Sequence, residues 1–280
     1  MQERILAGIV TYNPDMTTLK EGIKAILPQV GKLLIVENAS DNQNEILEML
    51  SDFPTIEKII CAENAGIARA LNEIGDFAVR ESFDFFLTLD QDSVVIPDLL
   101  TRYEPYLHTE NLGLLNSRYN ERTLQYGDIG TSEIVIDSPY MVTAGAVMPV
   151  LVFKKFRYDE FLFIDKVDFD MSFRLLKAHY KLYSLPFYGL TQSIGDVKII
   201  HFPLRKLYAW NYSPTRIYYM ARNGVVFYKK HGSNDMSRGF LKSDFRVMLK
   251  GVLLERQKLK KINAYVRGIF AGLRYKETGK

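Results

Sequence analysis

Asp90 and Asp92 are separated by one residue, Gln91, and follow the apolar run Phe83-Asp84-Phe85-Phe86-Leu87-Thr88-Leu89. In an extended backbone, residues two apart point to the same side, so a strand ending here presents two carboxylates on one face. Carboxylates that close repel each other unless a positive charge sits between them, and a hard divalent cation that prefers oxygen meets that need. Such a cation commonly holds a phosphate. Asp also ends strands and opens turns for structural reasons alone, so the pair takes its meaning from its surroundings.

The elements that must position this pair are legible in the first ninety residues. Short runs of near-continuous hydrophobicity at 5–10, 32–36, 56–61 and 85–89 read as strands. Stretches 15–27, 42–50 and 65–79 lie between them, with helical spacing and polar starts. This alternation is the mark of βαβ units around a parallel sheet buried on both faces. Ligands of such sheets bind beyond the carboxyl ends of the strands. Those ends here carry Thr11, Tyr12 and Asn13; Glu37, Asn38 and Ser40; Glu63 and Asn64; and the acid pair.

Beyond residue 110 the pattern is less regular. Runs at 132–136 and 140–147 have β character, a helix starts near Asp168 and continues past Arg174, and 181–185 is strand-like. Residues 213–230 and 241–274 read as basic helices, the second with apolar residues recurring at three, four or seven.

With 47% hydrophobic and 25% charged residues the chain is an ordinary globular protein, large enough to bury a sizeable core. Cys61 is the single cysteine, which excludes an intramolecular disulfide and favours a reducing compartment. The apolar run 5–10 is too short for the core of a secretory signal, and no apolar stretch approaches the ~20 residues that span a bilayer. A cytoplasmic protein is therefore expected. The net charge of +3 conceals an asymmetry: from Arg205 onward 18 Lys and Arg face 4 Asp and Glu, or +14, while the rest carries 18 against 29, or −11. An acidic body with a basic tail points to two jobs, or to one job performed at an anionic surface. A nucleic-acid-binding role is disfavoured by the acidic body and by the lack of a recognisable binding module.

The polar strand ends resemble a family. Thr11-Tyr12-Asn13, Val36-Glu37-Asn38-Ala39-Ser40, Asn64-Ala65-Gly66-Ile67-Ala68-Arg69-Ala70-Leu71-Asn72 and Asp90-Gln91-Asp92 are similar, in this order, to motifs of the family 2 inverting glycosyltransferases with the GT-A fold. Phe163-Ile164-Asp165-Lys166-Val167-Asp168-Phe169-Asp170 with Arg174 resembles that family's acceptor-side acidic motif. Residues 213–223, Ser-Pro-Thr-Arg-Ile-Tyr-Tyr-Met-Ala-Arg-Asn, resemble the carboxy-terminal signature of its bacterial rhamnosyltransferase-like members. The resemblance implies an α/β fold: a GT-A, Rossmann-like nucleotide-sugar-binding domain over 1–204 with a mixed, mainly parallel central sheet, plus a C-terminal helical extension over 205–280.

It also implies roles. Thr11, Tyr12, Asn13, Glu37, Asn38, Asn64, Gly66 and Asn72 stand where a nucleotide-diphosphate sugar is held, with Glu37 where the family more often has Asp. Gly66 permits close backbone approach, and the helix after it offers its positive end. Asp92 would hold Mn2+ or Mg2+, with Asp90 contacting the ribose or supporting the metal. Asp168 aligns with the catalytic base. Asp165 and Asp170 are its rivals, and Asp170 sits four residues before Arg174, as a helical ion pair would. Gln192 stands where relatives carry a metal-binding His, which leaves the third ligand between Gln192 and the nearby His201. Arg216 and Arg222, among Tyr208, Trp210, Tyr212, Tyr218 and Tyr219, could grip phosphate or sugar.

These readings describe an inverting, metal-dependent transferase moving rhamnose from a dTDP- or UDP-linked donor to a polyprenyl-linked surface or capsular polysaccharide. Galactosyl, galactofuranosyl or glucosyl transfer is the rival within the class, and a catalytically inactive sugar-nucleotide-binding subunit the rival outside it. The basic amphipathic tail would either lie peripherally on the inner face of the plasma membrane, through Phe245, Leu253, Ile269 and Phe270, or pack on the catalytic domain or on a second subunit.

Overall fold

Seven consecutive buried residues, Ile5–Thr11, make strand β1 the centre of a parallel ribbon. It pairs with β2 (Lys32–Glu37) on one side and β4 (Phe85–Asp90) on the other, with Val10 opposite both Val36 and Asp90. The computed structural model describes residues 4–121, 135–136, 140–193, 197–202 and 205–276. The chain divides into one unit of Met1–Phe161 with Asp168–Ser193, and a second of Leu162–Val167 with Ile194–Lys280.

In the first unit, helices α1 (Met16–Ile26), α2 (Gln43–Ser51) and α3 (Ile67–Arg80) supply the crossovers that parallel strands require. Asp15 starts α1 by accepting a hydrogen bond from the Thr18 N–H at 2.9 Å, and Leu19, Ile23 and Ile26 of its inner face are fully buried. The third strand, β3 (Glu57–Ile60), departs from the expected two-sided burial. It is the outermost strand, bonded only to β2, and Ile60 is 45% exposed.

Beyond β4 the sheet changes direction. The strand β8 (Ala146–Pro149) runs antiparallel to β4 and β6 (Leu112–Glu121), and β6 lies parallel to β9 (Lys181–Gln192). The two-residue strands β5 (Val94–Val95) and β7 (Val135–Ile136) both pair antiparallel with β9. The result is a mixed sheet whose first ninety residues are parallel throughout, in the order β3-β2-β1-β4-β8-β6-β9-β5. Beneath it α4 (Leu99–Tyr103) buries Tyr103, whose hydroxyl lies 3.0 Å from Ser117 Oγ and 2.9 Å from the Gly145 carbonyl. Helices α5 (Val150–Phe153) and α6 (Val167–Lys177) follow β8, and α6 carries Asp168.

The second unit joins the hairpin β10 (Lys198–Phe202) and β11 (Arg205–Ala209) to three helices, α7 (Pro214–His231), α8 (Asp235–Leu254) and α9 (Lys258–Arg274). Ser213 caps α7 and Pro214 occupies its first position, where a missing N–H costs nothing. The expected single helix over 241–274 begins earlier and is broken at 255–257. Glu255 is buried there, paired with Lys261 and accepting the Asn211 N–H at 2.9 Å, and Gln257 turns left-handed with φ 61°. Helix α9 lies against α7 through Gly268 and Gly272. A Cβ at Gly268 would collide with the Tyr218 carbonyl oxygen, and one at Gly272 would sit 2.7 Å from that of Arg222.

The same unit takes in the short loop 162–167. Phe163, Asp165 and Lys166 all have positive φ, a conformation costing roughly 1–2 kcal/mol per non-glycine residue. Surrounding bonds hold it there. Asn223, fully buried on α7, donates through Nδ2 to the carbonyls of Leu162 (2.7 Å), Ile164 (2.7 Å) and Asp165 (2.9 Å). Phe163 stacks on Tyr219 at 4.6 Å. The buried Lys166 ammonium lies between Asp165 (2.7 Å) and Asp244 (3.0 Å), and Asp244 Oδ2 has no hydrogen-bond partner. Burial, aided by the Asp165 charge and opposed by Lys166, pushes the Asp244 carboxyl up to about 6.

Two outcomes follow for this unit, and Trp210, the single tryptophan and part of it, reports both by its fluorescence during urea unfolding. Gly268→Leu should lower stability by about 1–3 kcal/mol through overpacking. Gly239→Ala, on α8 with nothing near its added Cβ, should raise it by about 0.5–1 kcal/mol. The second concerns pH. Because the folded-state value of Asp244 lies above its ordinary 3.8, the stability it contributes is complete at low pH and is lost as pH rises through about 6. Relative to Asp244→Asn, the unsubstituted chain should therefore gain stability as pH falls from ~8 to ~5, and a constant difference would contradict the assignment.

Candidate active site

The acid pair lies at the carboxyl end of β4, in the centre of the sheet. Asp90 is the last residue of the strand, and the Ser93 N–H closes a turn on its carbonyl at 3.0 Å. The extended backbone expected from the sequence therefore stops at Asp90. The direction of Asp92 comes instead from a partner, for its Oδ2 accepts the Ser193 N–H at 3.1 Å. Pairing of Val94 with Thr191 in the β5–β9 ladder brings those residues together.

Gln192, one residue before Ser193, is 9% exposed, and its Oε1 has no hydrogen-bond partner. An unsatisfied buried amide oxygen costs about 1–3 kcal/mol. Thr11 Oγ1, at the end of β1, and Ser93 Oγ are buried and unpartnered as well. Two carboxylates at the end of β4 and a buried, orphaned amide oxygen at the end of β9 are the oxygen donors at this end of the sheet, and oxygen donors suit a hard divalent cation. Among the described residues no group of three His, Cys, Asp or Glu could hold a metal. The alternative to Gln192, His201, lies on β10 opposite Lys206, and its side chain is outside the described residues.

The neighbouring strand ends are tied together by their own polar groups. Glu37 is fully buried and turned back on the backbone. Its carboxylate accepts the N–H groups of Ala39 (3.1 Å) and Ser40 (2.7 Å) and the Gln43 amide at 2.5 Å. It shapes the turn that carries Asn38. Asn38 donates to Asn64 Oδ1 (3.0 Å) and accepts the Ala65 N–H (3.1 Å), while Asn64 Oδ1 also accepts the Gly66 N–H (2.9 Å). Gly66, at φ 88°, leads into α3 in a conformation that side chains resist. Asn13 is spent on the Ser40-Asp41 turn: its N–H donates to Ser40 Oγ, and its amide exchanges hydrogen bonds with the Asp41 N–H and carboxylate.

Tyr12 places its ring at the rim, 45% exposed, while its N–H donates to Gln91 Oε1 at 2.7 Å. The residue between the acids, which spacing alone treats as filler, thus fastens the β1 loop to the β4 turn. Asn72 does not face the strand ends. Its amide donates to the Tyr158 carbonyl (3.0 Å) and Glu160 (2.9 Å) and accepts the Tyr158 N–H (2.9 Å), anchoring the chain ahead of α6.

The rivals of Asp168 are committed to cations. Asp165 is paired with Lys166, and Asp170, 1% exposed, with Arg174 at 2.8 Å, four residues on. Asp168 stands half-buried in the first turn of α6. Burial first, and then the nearby Asp168 charge, holds the Tyr158 hydroxyl well above the usual phenol range. In the second unit, the Arg216 guanidinium lies 4.8 Å over the Tyr212 ring in an exposed position. Arg222 is a clamp: it donates to the Leu162 carbonyl (3.0 Å) and to Asn223 (2.9 Å) and stacks on Tyr219 at 4.6 Å.

Residues 7–139 match the family model for glycosyl transferase family 2. Over 251 residues the chain is 25% identical to the dTDP-rhamnosyl transferase RfbF of Shigella flexneri, covering 82% of each protein. It superposes on S. aureus TarS with a TM-score of 0.60 at 14% identity, covering 96% of this chain and 49% of that one. For residues 1–349 of TarS in complex with UDP-GlcNAc the values are 0.58, 13%, 95% and 81%. GalNAc-T7 with UDP, GalNAc and Mn2+ is similar at 0.58 and 13%, over 87% of this chain and 54% of its own. The chain therefore spans about half of TarS but most of RfbF. A family model matching residues 7–139, a curated glycosyltransferase relative along most of the chain and a shared α/β architecture agree: the chain is similar to family 2 glycosyltransferases and has the GT-A fold.

Proposed function

We propose that the chain is an inverting, metal-dependent glycosyltransferase that moves rhamnose from a dTDP- or UDP-linked donor to a lipid-linked surface or capsular polysaccharide. The observation that carries this reading is the oxygen set at the sheet's carboxyl end, Asp90, Asp92 and the orphaned Gln192 Oε1. Likeness to the dTDP-rhamnosyl transferase supports rhamnose as the sugar.

Thr11, Asn38 and Asn64 would meet the base and ribose, with the exposed Tyr12 ring available to stack on the base. Glu37, Asn13 and Asn72 serve by holding loops. Asp90, Asp92 and Gln192 would hold Mn2+ or Mg2+, which supplies positive charge against the diphosphate as it departs. The amino end of α3, entered through Gly66, would face the same negative charge. Asp168 accepts the proton of the acceptor hydroxyl as its oxygen bonds to the anomeric carbon from the face opposite the diphosphate. The bond from that carbon to the phosphate oxygen breaks, the nucleoside diphosphate leaves, and the configuration inverts.

Asp168→Asn should abolish transfer while leaving nucleoside diphosphate affinity within about threefold, whereas Asp92→Ala should weaken both, as read by calorimetry with dTDP and UDP and by product formation. Transfer at the unsubstituted rate in Asp168→Asn would remove the base, and no binding of either nucleotide with or without Mn2+ would remove the donor site. Gln192 gives a separate test. Gln192→Ala should weaken Mn2+ binding about tenfold, and Gln192→His should restore or exceed it, read by the Mn2+ resonance signal without substrate. Equal Mn2+ affinity in all three proteins would exclude Gln192 as a ligand.

A further inference from the structure

Helices α8 and α9 bury the wrong side for a packed amphipathic pair. The buried residues of α9 are Lys261, Gly268 and Gly272, and those of α8 are Ser237, Asp244 and Gly251. Many of the large apolar residues point outward instead. Phe245, Leu249 and Leu253 recur every four residues on α8, and Leu259, Val266 and Leu273 every seven on α9; each is at least 44% exposed, and Leu259 reaches 81%. A helix of a globular protein turns that stripe to its core.

The charge around the stripe has one sign. Lys260, Arg267 and Arg274 each follow a stripe residue of α9 and so stand about 100° round the helix, while Arg246 and Lys250 flank the stripe of α8. All five are exposed. Two of the three acids in α8, α9 and their junction, Asp244 and Glu255, are buried against Lys166 and Lys261, which leaves Asp235 as the exposed acid of this segment. Phe245 touches Tyr265 at 6.3 Å and links the two helices.

An occupant must satisfy both features. A second copy presenting the same face would set cations against cations, and a polyanion alone would leave the apolar stripe in water. The surface of a bilayer offers phosphate headgroups beside an acyl boundary, in the geometry of a helix lying in the interface plane. Among the described residues no helix is long and apolar enough to cross a membrane. We propose that α8 and α9 form a docking face for a bilayer leaflet containing anionic phospholipid. This inference stands independently of the donor and metal assignments.

Sedimentation of the full chain with vesicles tests it, using phosphatidylcholine alone and with about a quarter replaced by phosphatidylglycerol. The anionic vesicles should bind the chain at least about tenfold more tightly, and salt should weaken that binding. Lys260→Glu with Arg267→Glu should reduce it about tenfold or more, as should Leu253→Ser with Leu259→Ser, both pairs keeping the Trp210 emission of the folded chain. Equal binding to neutral and anionic vesicles would overturn the proposal. So would indifference to the leucine substitutions, or a lack of vesicle binding together with a dimer that Leu259→Ser dissociates.

Discussion

The hydrogen bond from the Ser193 N–H to Asp92 joins positions 101 residues apart, and the chemistry attributed to this chain depends on that closure. Asp92 lies in a turn, so strand geometry alone does not aim it. Two residues on, β5 adds the shortest possible ladder to the end of β9 and brings a backbone donor to the carboxylate. The long strand β9 is parallel to β6 for most of its length, and β6 in turn reaches the central ribbon through β8. The antiparallel half of the sheet thus serves to return the chain to the carboxyl end of the parallel half.

A second constraint governs the acidic segment. Three departures into positive φ within four residues are unfavourable for residues with side chains, and they persist because one amide and one ammonium satisfy the groups those turns expose. The amide belongs to Asn223, at the end of the motif 213–223, so that motif is explained here by loop capture. Arg222 performs the same task beside it. In the same way, Glu37, Asn13 and Asn72 are polar residues near a site whose hydrogen-bonding capacity is taken up by the backbone.

The parallel half of the fold is readable in the sequence because its signals are local. Helix-period stretches with polar starts lie between strand-length apolar runs, and each strand ends in residues too polar to continue it. The likeness to family 2 glycosyltransferases is legible for the same reason. Other features depend on distant partners. The pairing of β5 with β9 rests on two valines and cannot be inferred from pattern. The role of Gln91 is invisible to spacing, since only the fold shows its amide reaching the Tyr12 N–H. The break between α8 and α9 escapes periodicity as well, because apolar spacing continues across it while the buried Glu255 diverts the chain. The apolar stripe itself was legible, but which side of each helix is covered follows from where Gly268 and Gly272 meet α7.

The capture of six residues, Leu162–Val167, by the helical unit has a practical side. Severing the chain near residue 204 would leave the nine-stranded sheet intact in sequence yet strip the bent segment of the Asn223 amide and the stacking partner of Phe163. Left alone, that segment would relax, and with it the lead into the helix bearing Asp168. The basic helices are therefore no detachable appendage, and chimaeras that graft another tail onto this sheet must carry a matching amide at the equivalent of position 223.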